Sequence, residues 1–297
     1  MKGRYEWPKA PFIWCDETHV NMSIPFTWNI PEAVEHILFH DGAKFRVGGP
    51  AIMLMPEMFA GIANCEVGQD APGLLQKVNP EATRTTLGCI RKCGFCGIGT
   101  GAIEPGGFRE LPDWPNLPII CDNNLLAASP KHFESVIDRL VPHGWADFNQ
   151  GIDPRILTDF HAKQFRRIKK PTIYLALDNA ATKEAWMMAF ERLRSVGIAK
   201  SSIRSYVLIG FKSGPSDAWD RCEFVTKAGV MAIPMWFHGL RCLKHNEVTD
   251  EQKDKYGWSD SERIAIGKWY FQHQDKGSKY CPKRSKEVEF MLIGEGR

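Results

Sequence analysis

Three cysteines lie within eight residues, Cys89-Ile-Arg-Lys-Cys93-Gly-Phe-Cys96. Clustered thiols in a reducing compartment point to a metal or to redox chemistry rather than to disulfides. Three thiolates are one short of a closed tetrahedral zinc site and one short of saturating a four-iron–four-sulfur cubane. A cubane held by three cysteines leaves one iron open to bind and activate a ligand. The chain has nine cysteines. The other six, Cys15, Cys65, Cys121, Cys222, Cys242 and Cys281, are scattered and read as small buried hydrophobes. No second CxxC exists, so a second cluster of the usual type is not expected. Three rival chemistries remain open. A structural zinc module would need a fourth ligand, and no His lies between His40 and His132. An iron–sulfur sensor or electron carrier would need no catalysis. Gly97-Ile-Gly99-Thr-Gly101-Ala102 with Asp122 formally matches a dinucleotide fingerprint, but Pro105, Gly106 and Gly107 would break the helix it requires.

The elements that must position these thiols follow from periodicity. From residue 82 the chain alternates strand-like and helix-like segments. Strands are expected at 82–87, 118–121, 145–150, 172–177, 205–211 and 230–237. Helices are expected after Ser129, after Thr158, over 183–196 and after Ser216, with Ser129, Thr158 and Ser216 as N-caps. Six strands alternating with helices imply βα units and a parallel sheet, with chemistry at the C-terminal ends of the strands. Residues 1–80 show only short regular segments, a helix at 31–39 and a strand at 44–47. Asp260 to His273 is expected as one C-terminal helix. The expected organisation is an N-terminal cap over 1–80, a core over 81–240 and an extension over 241–297.

At the cysteine motif the sequence resembles the radical S-adenosylmethionine (radical SAM) superfamily, whose signature is C-x3-C-x2-C with an aromatic before the last Cys, here Phe95. Thr85-Thr86-Leu87-Gly88 is also typical of the lead-in. The resemblance covers residues 82–240 and is similar to the elongator, methylthiotransferase and cobalamin-dependent type of core. It implies an α/β fold, a partial (βα)6 TIM-like barrel with a short N-terminal cap and a helical C-terminal extension. It implies a 4Fe-4S cluster on Cys89, Cys93 and Cys96, and S-adenosyl-L-methionine (SAM) chelated by the open iron. One electron, from a flavodoxin- or ferredoxin-type donor, would cleave SAM to a 5′-deoxyadenosyl radical that abstracts a substrate hydrogen. By the same resemblance Phe95, Asp122, Asn123, Asn124, Asn149, Gln150, Asp178 and Gly210 are SAM-binding candidates. Asp122, Asn123 and Asn124 would stand where the family has a Gly-Gly-Glu-like motif for the methionyl amino group. Gly210 lies in YVLIGF, a segment that resembles the motif along the adenine. His238 and Arg241 are candidates for substrate contact. Gly48-Gly49-Pro50 resembles the end of a cobalamin-binding domain, so the first 80 residues read as a truncated remnant of an α/β domain that cannot hold cobalamin.

Composition bounds the partners. The chain has 297 residues, 43% hydrophobic and 25% charged, which excludes a disordered, fibrous or coiled-coil protein. A net charge of +3 neither demands nor excludes nucleic acid. No apolar run is long enough to span a membrane, and Met1 to Cys15 lacks a signal-peptide core, so the expected compartment is the cytoplasm. Two basic stretches, Lys163, Arg166, Arg167, Lys169 and Lys170, and Lys276, Lys279, Lys283, Arg284 and Lys286, read as solvated faces or as phosphate-tracking surfaces. They make a nucleoside or nucleic-acid base the expected substrate, with a phage-type thymidine hypermodification in DNA as one concrete form. A peptide or small metabolite is the alternative.

Overall fold

The computed structural model describes residues 7–40, 42–68 and 73–273, with the side chains of 271–273 left aside. Cys281 and the basic stretch from Lys276 to Lys286 lie outside the described residues. The chain divides into two compact units, residues 1–123 with 238–246, and residues 124–237 with 247–297.

The first unit opens on a four-stranded sheet, β1 (Phe12–Cys15), β2 (Val20–Ser23), β3 (Phe45–Gly48) and β4 (Cys65–Val67), in that order. β1 runs antiparallel to β2, and β2, β3 and β4 run parallel. Helix α1 (Ile30–Phe39), with Pro31 in its first turn, makes the crossover that parallel β2 and β3 require. Met22, Ile24, Ile30, Ile37, Phe45 and Val47 form the buried centre, joined by Ala51 and Ile52 from α2 (Pro50–Leu54). The sequence reading found α1 and β3 but not β1, β2 or β4. Those strands have three or four residues, and β1 leaves Ile13 exposed, so alternation had too few positions to register. A short helix, α3 (Leu74–Val78), precedes the next sheet.

The six parallel strands expected from the alternation are present, in chain order. They are β5 (Ala82–Thr83), β8 (Ile119–Ile120), β9 (Trp145–Ile152), β10 (Lys170–Leu177), β11 (Ile203–Ile209) and β12 (Met231–Trp236). Among the described residues nothing pairs β12 with β5, so no closed barrel forms. The expected strand over 82–87 is broken. After β5 the chain turns at Arg84 and Thr85, and β6 (Thr86–Leu87) pairs instead with β7 (Arg109–Glu110), antiparallel.

In the second unit the helices α4 (Pro130–Leu140), α5 (Asp159–Arg166), α6 (Lys183–Ser195) and α7 (Pro215–Lys227) follow the expected periodicity. Ser129 caps α4 by accepting the His132 amide, and Thr158 with His161 forms a capping box on α5. Ser216 is not a cap. Pro215 already occupies the first helical position, so the cap is Gly214 and Ser216 lies inside α7. Alternate residues of β9 to β11, including Phe148, Ile173, Leu175, Ser205 and Val207, are fully covered, together with Phe133, Phe165 and Trp186 of the helices. The buried indole of Trp186 donates to Ser205 Oγ at 2.9 Å, which in turn donates to the Leu175 carbonyl at 2.9 Å. Among the described residues two further helices follow in this unit, α8 (Asp250–Tyr256) and α9 (Asp260–His273). The sequence reading missed α8, which is short and polar.

Candidate functional site

The first unit carries the cysteine loop. Cys89, Cys93 and Cys96 are in no disulfide and are half-buried, and Phe95 beside them is also half-buried. The Cys96 amide donates to the Cys93 carbonyl at 3.1 Å and the Thr100 amide to the Cys96 carbonyl at 3.0 Å. These are successive turns rather than a helix. The Arg91 amide donates to Cys89 Sγ at 3.3 Å. Gly99 presses on the backbone of Cys93 so closely that a Cβ there would lie 2.7 Å from its nitrogen.

Two carboxylates fix the backbone that enters this loop. Asp122, 4% exposed at the end of β8, accepts the Thr85 amide at 2.6 Å, the Thr86 amide at 2.9 Å and the Thr85 hydroxyl at 2.5 Å. Burial pushes its carboxyl up from the ordinary range, against the pull of these donors. The sequence reading gave Asp122 to SAM; the structure gives both its oxygens to the lead-in. These bonds also explain why 82–87 is not one strand, because the side chain takes amides that a ladder would otherwise use. Glu104 is the second. It is forked with Arg84, accepts the Gly88 amide at 2.7 Å and accepts Asn123 Nδ2 at 3.0 Å. Burial opposes its charge, but Arg84, the Gly88 amide and Arg109 outweigh this and hold it below the usual carboxylate range. Gly88 itself has φ +70°, and a Cβ would fall 2.0 Å from the Gly107 carbonyl oxygen. Only glycine fits immediately before Cys89.

Glu104 was not found by motif. Its signal was available: it is the single carboxylate in the Gly- and Pro-rich stretch 97–109. Asn124, the residue that begins the second unit, is 3% exposed and precedes a single 3-10 turn.

His238 and Arg241 belong to the first unit, and they separate in role. Arg241 is exposed, pairs with Glu57 and donates to the Leu54 carbonyl at 2.7 Å. His238 accepts the Asn246 amide at Nε2, 3.0 Å away, and joins a group of rings. Trp28 lies 4.5 Å from His238, 4.8 Å from His245 and 4.4 Å from Phe26, centroid to centroid, with Phe26 and His245 stacked on it. Phe26 is 39% exposed and His245 is exposed.

In the second unit the C-terminal strand ends gather charge. Asp153, at the end of β9, accepts Arg155 Nε at 2.7 Å and Nη2 at 3.1 Å. Asp178, at the end of β10, is half-buried, and no described group donates to it. Burial pushes its carboxyl up; Arg155 and Arg221 oppose that and Asp153 adds to it. Beneath these ends lies Arg221, which is fully buried. It donates to the Leu177 carbonyl at 3.1 Å, the Leu208 carbonyl at 2.5 Å and Ser213 Oγ at 3.3 Å, and pairs with Asp217 at 2.8 Å. The helical face Ala218, Arg221, Cys222 and Val225 placed it in the core, a signal the sequence reading did not use.

The remaining candidates sit on the same sheet. Gly210 has φ +81°, and a Cβ would lie 2.8 Å from the Trp236 ring. Its carbonyl accepts Gln252 Nε2 of α8 at 2.9 Å. Asn149 and Gln150 lie where β9 slips register against β10, next to Gly151, and the Tyr206 hydroxyl donates to the Asn149 carbonyl at 2.9 Å. Tyr206 stacks on Tyr174 at 4.8 Å. The basic stretch Lys163 to Lys170 is exposed, and Arg167 pairs with Asp138. Lys169 and Lys170 stand at the start of β10, the end of the sheet opposite to Asp178. An eight-residue strand separates those ends by roughly 23 Å. This stretch therefore does not border the polar strand ends.

No family model matches this chain, and no curated protein matches it. No helix among the described residues is long and apolar enough to cross a membrane. Among the described residues, no three His, Cys, Asp or Glu side chains are drawn together as a metal site. The loop thus brings its three thiols into one short segment without holding them in a ligating array. The donor set suits iron–sulfur ligation in kind and number: three reduced thiols, accessible to solvent, with a backbone amide already directed at one sulfur. A structural zinc site takes four protein ligands, and the motif supplies three. The dinucleotide alternative fails because turns, not a helix, follow Gly97.

Proposed function

We propose that this chain is a radical SAM enzyme. The observation that carries the reading is the loop from Cys89 to Cys96, three half-exposed thiols following the first parallel strand, entered through a backbone pinned by Asp122 and Glu104. Cys89, Cys93 and Cys96 would hold a 4Fe-4S cluster and leave one iron for SAM. The group they would hold would supply the single electron that cleavage of the SAM sulfonium bond to methionine and a hydrogen-abstracting 5′-deoxyadenosyl radical requires.

The chain's own residues bind and orient. The Arg91 amide stabilises negative charge on the Cys89 sulfur. Asn123 offers its amide oxygen to the methionyl ammonium, because its Nδ2 is already committed to Glu104. The resemblance also gives two candidates within the second unit, Asp178, whose half-buried carboxylate can accept from hydroxyls, and Gly210, whose left-handed backbone only glycine adopts freely. The TIM-like partial barrel of this family is the finer form of the six-stranded parallel sheet. A flavodoxin- or ferredoxin-type donor would supply the electron, in a reducing compartment, the cytoplasm. For substrate we favour a nucleoside or nucleic-acid base. The support is the ring group Phe26, Trp28, His238 and His245, in which Phe26 and His245 are exposed over a half-buried Trp28, since exposed aromatic faces stack bases of any sequence.

Anaerobic reconstitution followed by dithionite reduction tests the reading. Release of 5′-deoxyadenosine from SAM is the expected result. An intact cluster that never cleaves SAM leaves only an electron carrier or sensor. Transfer of deuterium from labelled nucleosides into 5′-deoxyadenosine tests the substrate class, and transfer only from peptides or metabolites would replace it.

A further inference from the structure

Glu104 lies eight residues past the last motif cysteine and matches no part of the motif. Yet it meets three separate segments of the first unit. Its oxygens take Arg84 from the end of β5, the Gly88 amide at the mouth of the cysteine loop and Asn123 Nδ2 beyond β8. Its side chain is 17% exposed and that of Arg84 24%. A forked guanidinium–carboxylate pair in such a setting is directional as well as attractive. An ionised carboxylate only accepts, so the group it meets on Asn123 must be the NH2 end. That orients the amide and leaves Oδ1 as its acceptor, to which no described group donates.

Resting on the radical SAM reading above, we propose that Glu104 is the positioning residue that couples the two halves of the cofactor site in this unit. Through the Gly88 amide it sets the entrance to the cysteine loop. Through Nδ2 it presents the Asn123 oxygen to the ammonium group of SAM. Glu104→Gln keeps the size of the side chain but loses the ionised acceptor. With its amide oxygen in the Oε2 position Gln still faces Gly88 and Asn123, but its NH2 meets Arg84 Nη1, so the fork opens and a weaker, uncharged acceptor holds the Asn123 amide.

The test measures SAM affinity by equilibrium dialysis on anaerobically reconstituted protein, normalised to iron content, for wild type, Glu104→Gln, Asn123→Ala and the double variant. Glu104→Gln is expected to weaken SAM binding about tenfold, the size of a lost hydrogen bond to a charged group. In the Asn123→Ala background the same change should cost less than about twofold, because the group it positions is gone. Glu104→Asp should recover part of the affinity. Equal losses in both backgrounds would overturn the proposal and make Glu104 a fold residue only. Unchanged affinity in Glu104→Gln would overturn it as well. A wild type that takes up no iron, or takes it up and binds no SAM, sinks the radical SAM reading and the inference together, so the two failures are distinguishable. Should Glu104→Gln fail to fold, Arg84→Gln removes the same fork from the other side and is read in the same cycle.

Discussion

The strands of the first unit that enter the cysteine loop and the strands of the second unit solve one problem by different means. β5, β6 and β8 have two residues each, too few for a ladder to satisfy the backbone between them. There the amides of Thr85, Thr86 and Gly88 go to the side chains of Asp122 and Glu104. β9, β10 and β11 have seven or eight residues, parallel ladders over most of their length, interrupted by one register shift between β9 and β10, and a covered apolar face. Side chains add to those ladders rather than replace them: Ser205 and Tyr206 donate to the Leu175 and Asn149 carbonyls, and Arg221 takes the Leu177 and Leu208 carbonyls at the strand ends. Long ladders make a rigid floor, whereas short ones bent by carboxylates let the chain turn sharply into a loop with three thiols. The cost is dependence on a few buried polar groups.

That contrast can be broken from either side. The largest effect is expected for Arg221→Ala, which strands Asp217 and two strand-end carbonyls. A loss of about 4 kcal/mol in urea unfolding is expected, the scale of a broken buried charge pair. Iron uptake per folded chain should not change. Gly88→Ala combines a left-handed backbone with a clash against Gly107, and should cost about 3 kcal/mol. Unlike the first variant it should also cut iron uptake. Asp122→Ala leaves the Thr85 and Thr86 amides without their acceptor; a loss of about 2 kcal/mol, again with reduced iron uptake, is expected. If Asp122→Ala loaded iron like wild type, the side-chain account of the lead-in would be wrong.

Asp178→Asn runs the other way. Burial holds the folded Asp178 pKa above its ordinary value, so its charge is a cost that appears as pH rises through that shifted range. At pH 7 the variant should be more stable by about 1 kcal/mol. The gain should disappear as pH falls below about 4, where both folded and unfolded forms carry the proton. Glu104 has the opposite sign: its folded pKa is depressed, so its contribution is present above the ordinary Glu value and is lost as pH falls through the folded one. An acid titration of Glu104→Gln against wild type should show this smaller difference.

The long strands and the helices between them were legible because their periodicity runs over six or more positions; Ser129 and Thr158 added cap chemistry that the structure repeats. Of the four-stranded N-terminal sheet only β3 was legible, before Gly48 and Gly49, because strands of three or four residues carry almost no period. At the candidate site the three cysteines were readable from spacing. Their support was not, since Glu104, Arg84 and Asn123 are far apart in the chain and meet only through the fold. Asp122 shows the limit of reading a strand-end carboxylate as a ligand contact: the backbone had a prior claim on it. Asp178, at the equivalent end of a long strand, has no such partner among the described residues, which is why it stays the better candidate for ligand contact.

The central claim is that Cys89, Cys93 and Cys96 together hold a cluster with one iron open to SAM. Electron paramagnetic resonance of the reduced, reconstituted protein tests it most directly. A 4Fe-4S signal that shifts when SAM is added, and is lost in each of Cys89→Ala, Cys93→Ala and Cys96→Ala, is the predicted result. A protein that binds zinc instead, or a signal indifferent to SAM or to any one of the three cysteines, would contradict the account.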